Sequence, residues 1–160
     1  MNARSSLHIA ADIHNLGAIR QFVEQAALAL GADPAALPDV IQATDEIATN
    51  IIVHGYRDQS GAIDIEVEAN GNSLVVHVRD RAALFDPTSF PAPDVSLPLD
   101  QRPLGGLGIY LARRFVTEMI YRALPEGGNE LTLIKQASLQ PPIADRASID
   151  RNLLRQGDRQ

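Results

Sequence analysis

Glu46, Asn50 and His54 stand four residues apart in a run with helical periodicity, so each is rotated about 40° from the one before and the three share one helix face. A carboxylate there can receive a proton, an amide can offer a carbonyl oxygen to a hard cation, and an imidazole can donate or accept a hydrogen bond. A solvated helix surface carries the same residue types. An Asn inside a helix nevertheless lowers helix propensity, because its side chain competes for the backbone, and so points to a further role. Asp80 closes a strand-like run, where a carboxylate either starts a turn or accepts a hydrogen bond from the exocyclic amine of a nucleobase. Gly105-Gly106-Leu107-Gly108 opens another helical pattern, which presents free N–H groups and the positive end of a helix dipole to phosphate oxygens. It lacks the Gly-Lys-Ser/Thr ending of the Walker phosphate loop, and no strand leads directly into it as a dinucleotide fingerprint requires.

These residues need elements to hold them. Leu7, Ile9 and Ala11 alternate as a first strand. Asn15 is a candidate N-cap for a helix with Leu16, Ile19, Val23 and Leu30 on one stripe, and Gly31 is its left-handed stop. Pro38 suits the first turn of a second helix that runs to His54 and ends at Gly55, with Val40, Thr44, Ile47 and Ile51 opposite the polar face. Ile63, Ile65 and Val67 alternate with Asp64, Glu66 and Glu68, and after a tight Asn70-Gly71-Asn72 turn Leu74, Val76 and Val78 continue the ladder. Arg81 to Leu104 holds five prolines and no apolar period, and exceeds the roughly 12–15 residues beyond which a structureless loop is usually functional or disordered. Ile109 to Val116 then form a third helix, strands follow near 119–124 and 131–135, and Glu126-Gly127-Gly128-Asn129 turns between them. The order predicts an α+β, two-layer sandwich: a mixed, mostly antiparallel sheet with helices on one face. Residues 1–137 form the domain, and 138–160, opened by Pro141-Pro142, a tail whose Ile149, Leu153 and Leu154 could make one amphipathic turn.

Composition narrows the function. The 160 residues, 45% of them hydrophobic, suffice for one core. The absence of Cys excludes disulfides, thiolate zinc sites and cysteine nucleophiles, and suits a reducing cytoplasm. A net charge of -6 without a basic stripe argues against direct nucleic-acid binding, and no apolar window approaches the length of a membrane span.

Taken in order, Glu46-Ile-Ala-Thr-Asn50, Val78-Arg-Asp80 with Phe85-Asp86-Pro87, the Pro-rich loop, Gly105-Gly106-Leu107-Gly108-Ile109-Tyr110 and Asn129-Glu-Leu-Thr132-Leu-Ile-Lys135 resemble the anti-sigma-factor serine/threonine kinases. These belong to the histidine-kinase-like ATPase superfamily with its Bergerat-type fold. The resemblance runs from about Leu7 to Gln136. It implies ATP and Mg²⁺ as cofactors, Glu46 as catalytic base, Asn50 as magnesium ligand, Asp80 as holder of the adenine amine and Thr132 as support for Asp80. Gly105, Gly106, Leu107 and Gly108 would line the phosphates beneath a lid formed by 81–104, and Arg102, beside the glycines, is the candidate cation for the transferring phosphoryl group. Ala82 stands in the nucleotide site where the family usually has Gly, so an added methyl is expected to strain the backbone or shift the ring. The implied partners are an anti-anti-sigma (STAS-type) protein as phosphoacceptor and a sigma factor held alternately, with homodimerisation open. With no phosphoacceptor helix ahead of the ATPase pattern, a complete histidine kinase is not expected. The alternative is a non-catalytic, nucleotide-gated module that holds a sigma factor or another regulator.

Overall fold

The computed structural model describes residues 3–89, 91, 94, 96–98, 100 and 106–141. Arg102, Gly105, much of the expected lid and the tail from 142 onward lie outside the described residues. Strands β1 (Arg4–Ala10), β2 (Ala62–Asn70), β3 (Ser73–Asp80), β4 (Glu118–Ala123) and β5 (Asn129–Lys135) form one sheet in the order β1-β2-β3-β5-β4. Every neighbouring pair is antiparallel, so the sheet is not mixed. The reason lies in the crossover: β3 and β4 point the same way, as a strand-helix-strand connection asks, but β5 inserts between them and pairs with both.

Helices α1 (Leu16–Ala29), α2 (Leu37–Asn50) and α3 (Gly106–Phe115) cover one face. α2 is central, packed against α1, α3, β3 and β5. Ile19 and Val23 of α1, Val40, Ala43 and Ile47 of α2, and Ala112 of α3 bury against Ile63, Ile65, Val67, Val76, Val78 and Leu133 of the sheet. The alternation read in β2 fixes this face, because a register slip of one residue would send Ile63, Ile65 and Val67 to solvent. Arg20 pairs with Asp45 across α1 and α2 at 2.6 Å. Lys135 donates to Asp39 at 2.9 Å and to the Phe115 carbonyl at 2.8 Å, a cation placed on the negative end of α3.

Several local expectations change. Gly31, with φ +85°, does end α1, but Asn15 donates to the Ala10 carbonyl at 3.0 Å rather than capping the helix. α2 does not run as an α-helix to His54. It ends at Asn50, and Ile51–Tyr56 continue as a π-helical turn straight through Gly55, a widened geometry that recurs at functional sites. Tyr56, buried at the end of that turn, donates from its hydroxyl to the Ala62 carbonyl and accepts from the Arg81 N–H, both at 2.7 Å. One phenol thus pins the start of β2 and the exit of β3. Its ring lies where a Gly61 side chain would project, an added Cβ standing 2.1 Å from it. Past β5, Ser138 is buried and its hydroxyl accepts from the Leu74 N–H at 2.8 Å, while the Gln140 N–H reaches the Gly31 carbonyl at 2.9 Å, so the first residues of the expected tail are tied to the body.

Gly128 turns between β4 and β5 with φ +96°, and a Cβ there would meet the Asp80 carbonyl oxygen at 2.1 Å. Gly128→Ala is therefore expected to lower stability by about 2 kcal/mol or more, read from the urea midpoint at unchanged slope. Gly71→Ala, also at positive φ but in open space, is expected to lower it less.

Candidate functional site

Asp80 ends β3 with 5% of its surface exposed. Its Oδ1 accepts from the Ala82 N–H and from Asn129 Nδ2, each at 2.9 Å, and no described residue bonds Oδ2. Burial raises the carboxyl above the ordinary carboxylate range, with the bonds from Asn129 and Ala82 pulling the other way. The amide of Asn129 is fully used: Nδ2 also donates to the Ala83 carbonyl at 3.0 Å, and Oδ1 accepts from the Phe85 N–H at 2.9 Å and the Tyr121 hydroxyl at 2.8 Å. Two donors and two lone pairs are all that an Asn side chain has. A single buried amide therefore holds Asp80, the chain after β3, and β4.

Asp80 and Asn129 stand at one end of a cavity of about 340 Å³ walled by Ile47, Ile51, Pro87, Ile109 and Leu131, within the size and apolar character of small-molecule sites. Asn50, His54, Gly55 and Arg57 line it from the end of α2 and the π-helical turn, residues 82–85 from the chain after β3, and Tyr121 from β4. The Asn50 side chain makes no hydrogen bond among the described residues and lines the cavity, which answers the question its place in a helix raised. The π-helical turn keeps His54 on the same cavity, although His54 no longer stands one α-helical turn beyond Asn50. Glu46 lies next to this space rather than in it. Its Oε1 accepts from Gln42 at 3.1 Å, and its Oε2 sits where a Gly108 side chain would begin, 2.7 Å from an added Cβ. The carboxylate thus packs on the first turn of α3, where Gly106 is buried and Leu107 exposed.

Ala82 causes none of the expected strain: among the described non-glycine residues only Arg57 and Ala137 have positive φ. Its methyl is accommodated because the residue facing it is a glycine, Gly55, whose own Cβ would come within 3.2 Å. Thr132 requires a correction. It does not support Asp80; its hydroxyl bonds His77 at 3.0 Å on the opposite face of the sheet. Side chains along β5 alternate, so Asn129, Leu131 and Leu133 share the helix side, and Thr132 goes with Glu130 to the other. Sequence reasoning passed over Asn129, Tyr56 and Tyr121. The one available signal was Asn129 following two glycines at a strand start, the mirror position of Asp80 across the ladder.

The open face carries a second charged group. Glu66 and Glu68 face Arg4, Arg79 and His77, and Arg79 and Arg122 converge on Glu130. The hydrogen bond from His77 holds the Glu68 carboxyl below its ordinary range, with burial opposing and Arg4 assisting. These acids are matched by neighbouring cations and lie apart from the cavity.

The sequence matches the family described as histidine kinase-like ATPase domain over residues 9–135. The chain belongs to that family. This ATPase domain is similar to the serine/threonine-protein kinase BtrW of Bordetella bronchiseptica, 30% identical over 95 residues, which span 59% of this chain and 66% of BtrW. It is also 30% identical over 87 residues to the serine-protein kinase RsbW of Bacillus cereus, spanning 52% of this chain and 54% of RsbW. The matches thus reach about half to two thirds of the length of these curated relatives. Among solved structures, that of the RsbU and RsbW domains of Rv1364c from Mycobacterium tuberculosis superposes with a TM-score of 0.57 at 21% identity, covering 86% of this chain and 35% of that one, a likeness of fold. Among the described residues of this histidine kinase-like ATPase domain, no helix is long and apolar enough to cross a membrane.

Asn129→Ala would leave Asp80, Tyr121 and the Phe85 N–H short of a partner, and is expected to cost about 2–4 kcal/mol. Because Asn129 pulls the Asp80 carboxyl down, the variant should also titrate Asp80 at higher pH. Carboxyl chemical shifts followed against pH, alongside thermal unfolding, check both.

Proposed function

We propose that this ATPase domain is an ATP-dependent protein serine/threonine kinase that doubles as an anti-sigma factor in the bacterial cytoplasm. The protein it phosphorylates would be a STAS-type anti-anti-sigma protein, with a sigma factor as the alternate partner. The observation that carries the reading is the Oδ2 of Asp80, unbonded by any described residue, on a cavity that Asn50 also lines. An unpaired acceptor that opens on a largely apolar cavity invites a donor, and the exocyclic amine of adenine is one. Residues 1–137 would form the catalytic body, with 138–140 docked on it, and the remainder an appendage.

ATP would supply the transferable phosphoryl group, and Mg²⁺ the charge neutralisation that lets it move. The donor set fits both. Asn50 offers an unpartnered carbonyl oxygen, the ligand type Mg²⁺ prefers. Asp80 orients the base, held by Asn129. Glu46, within one helical turn of Asn50 and packed on the start of α3, is positioned to take the proton of an incoming Ser or Thr hydroxyl. The glycine turn from 105 to 108 would cradle the phosphates, and Arg102 would meet the terminal one. The alternative, a non-catalytic nucleotide-gated module, draws on the Ala82 methyl that lines the cavity; Ala82 itself packs on Gly55 without a positive φ.

ATP should bind by calorimetry more tightly with Mg²⁺ than without, and Asp80→Asn should weaken binding by about 1–3 kcal/mol. Because burial raises the Asp80 carboxyl in the folded state, its ionisation destabilises the free protein: stability falls as pH rises from the unfolded carboxylate range through the folded pKa. Asp80→Asn should therefore unfold at a higher temperature than the parent at neutral pH while losing nucleotide. The parent's affinity should decline as pH falls through the raised folded pKa of Asp80, where the acceptor becomes protonated. Separately, Glu46→Gln should retain nucleotide but slow phosphate transfer to the partner about 10²–10⁴-fold, nearer the lower figure for a loose transition state. Full transfer by that variant would make Glu46 an orienting residue only.

A further inference from the structure

Arg57 has φ +56° and ψ -122°. It follows the π-helical turn as the first central residue of a tight turn closed by the Gln59 N–H on the Tyr56 carbonyl at 3.0 Å. Those angles are the ones a type II′ turn demands at that position, and glycine is the residue that adopts them freely. An arginine there is held in a backbone region costly to any side chain. Nothing in its surroundings explains the choice, since among the described residues its guanidinium has no hydrogen bond or ion pair, and the side chain is exposed. It does line the cavity of Asp80 and Asn50, and also the open cleft beside it that His54, Tyr56 and Arg81 bound.

Its place along the cavity is defined by its neighbours. Gly55, two residues before it, faces Ala82, whose N–H holds Asp80. Arg57 thus belongs to the Asp80 end of the cavity, beyond His54, while Asn50 and Glu46 lie back along α2 toward the start of α3. The helical wall is made by Ile47 of α2 and Ile51 of the π-helical turn, with the His54 ring beyond them, while the Phe85 and Tyr121 rings line the cavity from the chain after β3 and from β4. Burial and bonds from Asn129 and Ala82 account for the state of Asp80, so Arg57 is not engaged in neutralising that carboxylate. A planar cation without partners among the described residues, lining a pocket in which Asp80 offers an acceptor to an amine, suits the π face of a purine.

Resting on the nucleotide reading above, we infer that Arg57 is a specificity-determining residue of the base subsite, its guanidinium lying over the purine ring that Asp80 holds by its edge. The glycine-type turn is what aims the side chain inward, and the backbone cost is retained for that contact.

The inference separates stability from binding and base from phosphate. Arg57→Gly relieves the turn and should raise the melting temperature of the free protein by about 2–4 °C, while Arg57→Ala should not. Both variants should bind adenosine, ADP and ATP more weakly by about 3- to 30-fold, with the same factor for all three, measured by calorimetry at fixed salt and Mg²⁺. Arg57→Lys should recover part of the loss. A loss confined to ATP, or growing with phosphate number, would make Arg57 a phosphate ligand and overturn the inference. Unchanged adenosine affinity in Arg57→Gly would overturn it as well, leaving the nucleotide site intact. Failure of the parent to bind any of the three would overturn the nucleotide reading and this inference together.

Discussion

Burying a carboxylate at the end of β3 is costly unless its oxygens are met, and in this domain the amide of Asn129 meets one of them. That amide also bonds the Ala83 carbonyl, the Phe85 N–H and the Tyr121 hydroxyl, so the wall of the cavity is built outward from a single side chain. The register of β3 with β5, which sets Asp80 opposite Asn129, is what makes the contact available. Gly128 lets the two backbones approach closely enough for it. The open Oδ2 is then a consequence: once Oδ1 is saturated by Ala82 and Asn129, the remaining oxygen has no partner among the described residues.

The helix layer meets this construction at Tyr56. Its hydroxyl ties the exit of β3 to the start of β2, and the π-helical turn brings it there from α2. The same turn keeps His54 on the cavity that Asn50 lines from the end of α2, and carries the chain into the strained turn at Arg57. Close approaches recur wherever two elements must touch here: Gly61 under the Tyr56 ring, Gly55 against Ala82, Gly108 against Glu46. In each, the missing side chain of one element is the space occupied by a side chain of another.

The open face of the sheet follows different rules. Glu66, Glu68 and Glu130 are only 10–16% exposed at their side chains, shielded by Arg4, Arg79, Arg122 and His77. Cross-strand pairs of this kind stabilise a sheet modestly and suppress slipped pairings by setting like charges opposite. They therefore guard the register that the Asp80 and Asn129 contact requires, from the side of the sheet that the cavity does not use.

Features set within a few residues of chain were legible in the sequence: the alternation of β2 and β3, the left-handed stop at Gly31, the spacing of Glu46 and Asn50, Asp80 at a strand end, and the glycine opening of α3. Each follows from local periodicity or backbone freedom. Where a feature depends on a partner far along the chain, only the tertiary structure decided it. Thr132 and Asn129 are both polar residues in one strand, and the burial of Leu131 and Leu133 determines which of the two faces Asp80. Ala82 packs without backbone strain because Gly55 faces it, 27 residues earlier. The order of the sheet is wholly antiparallel because β5 intervenes between β3 and β4. Hydrogen bonds to Asn129 and Tyr56, and the φ of Arg57, arise from how separate elements meet, and local sequence pattern carries no record of which distant groups those elements bring together.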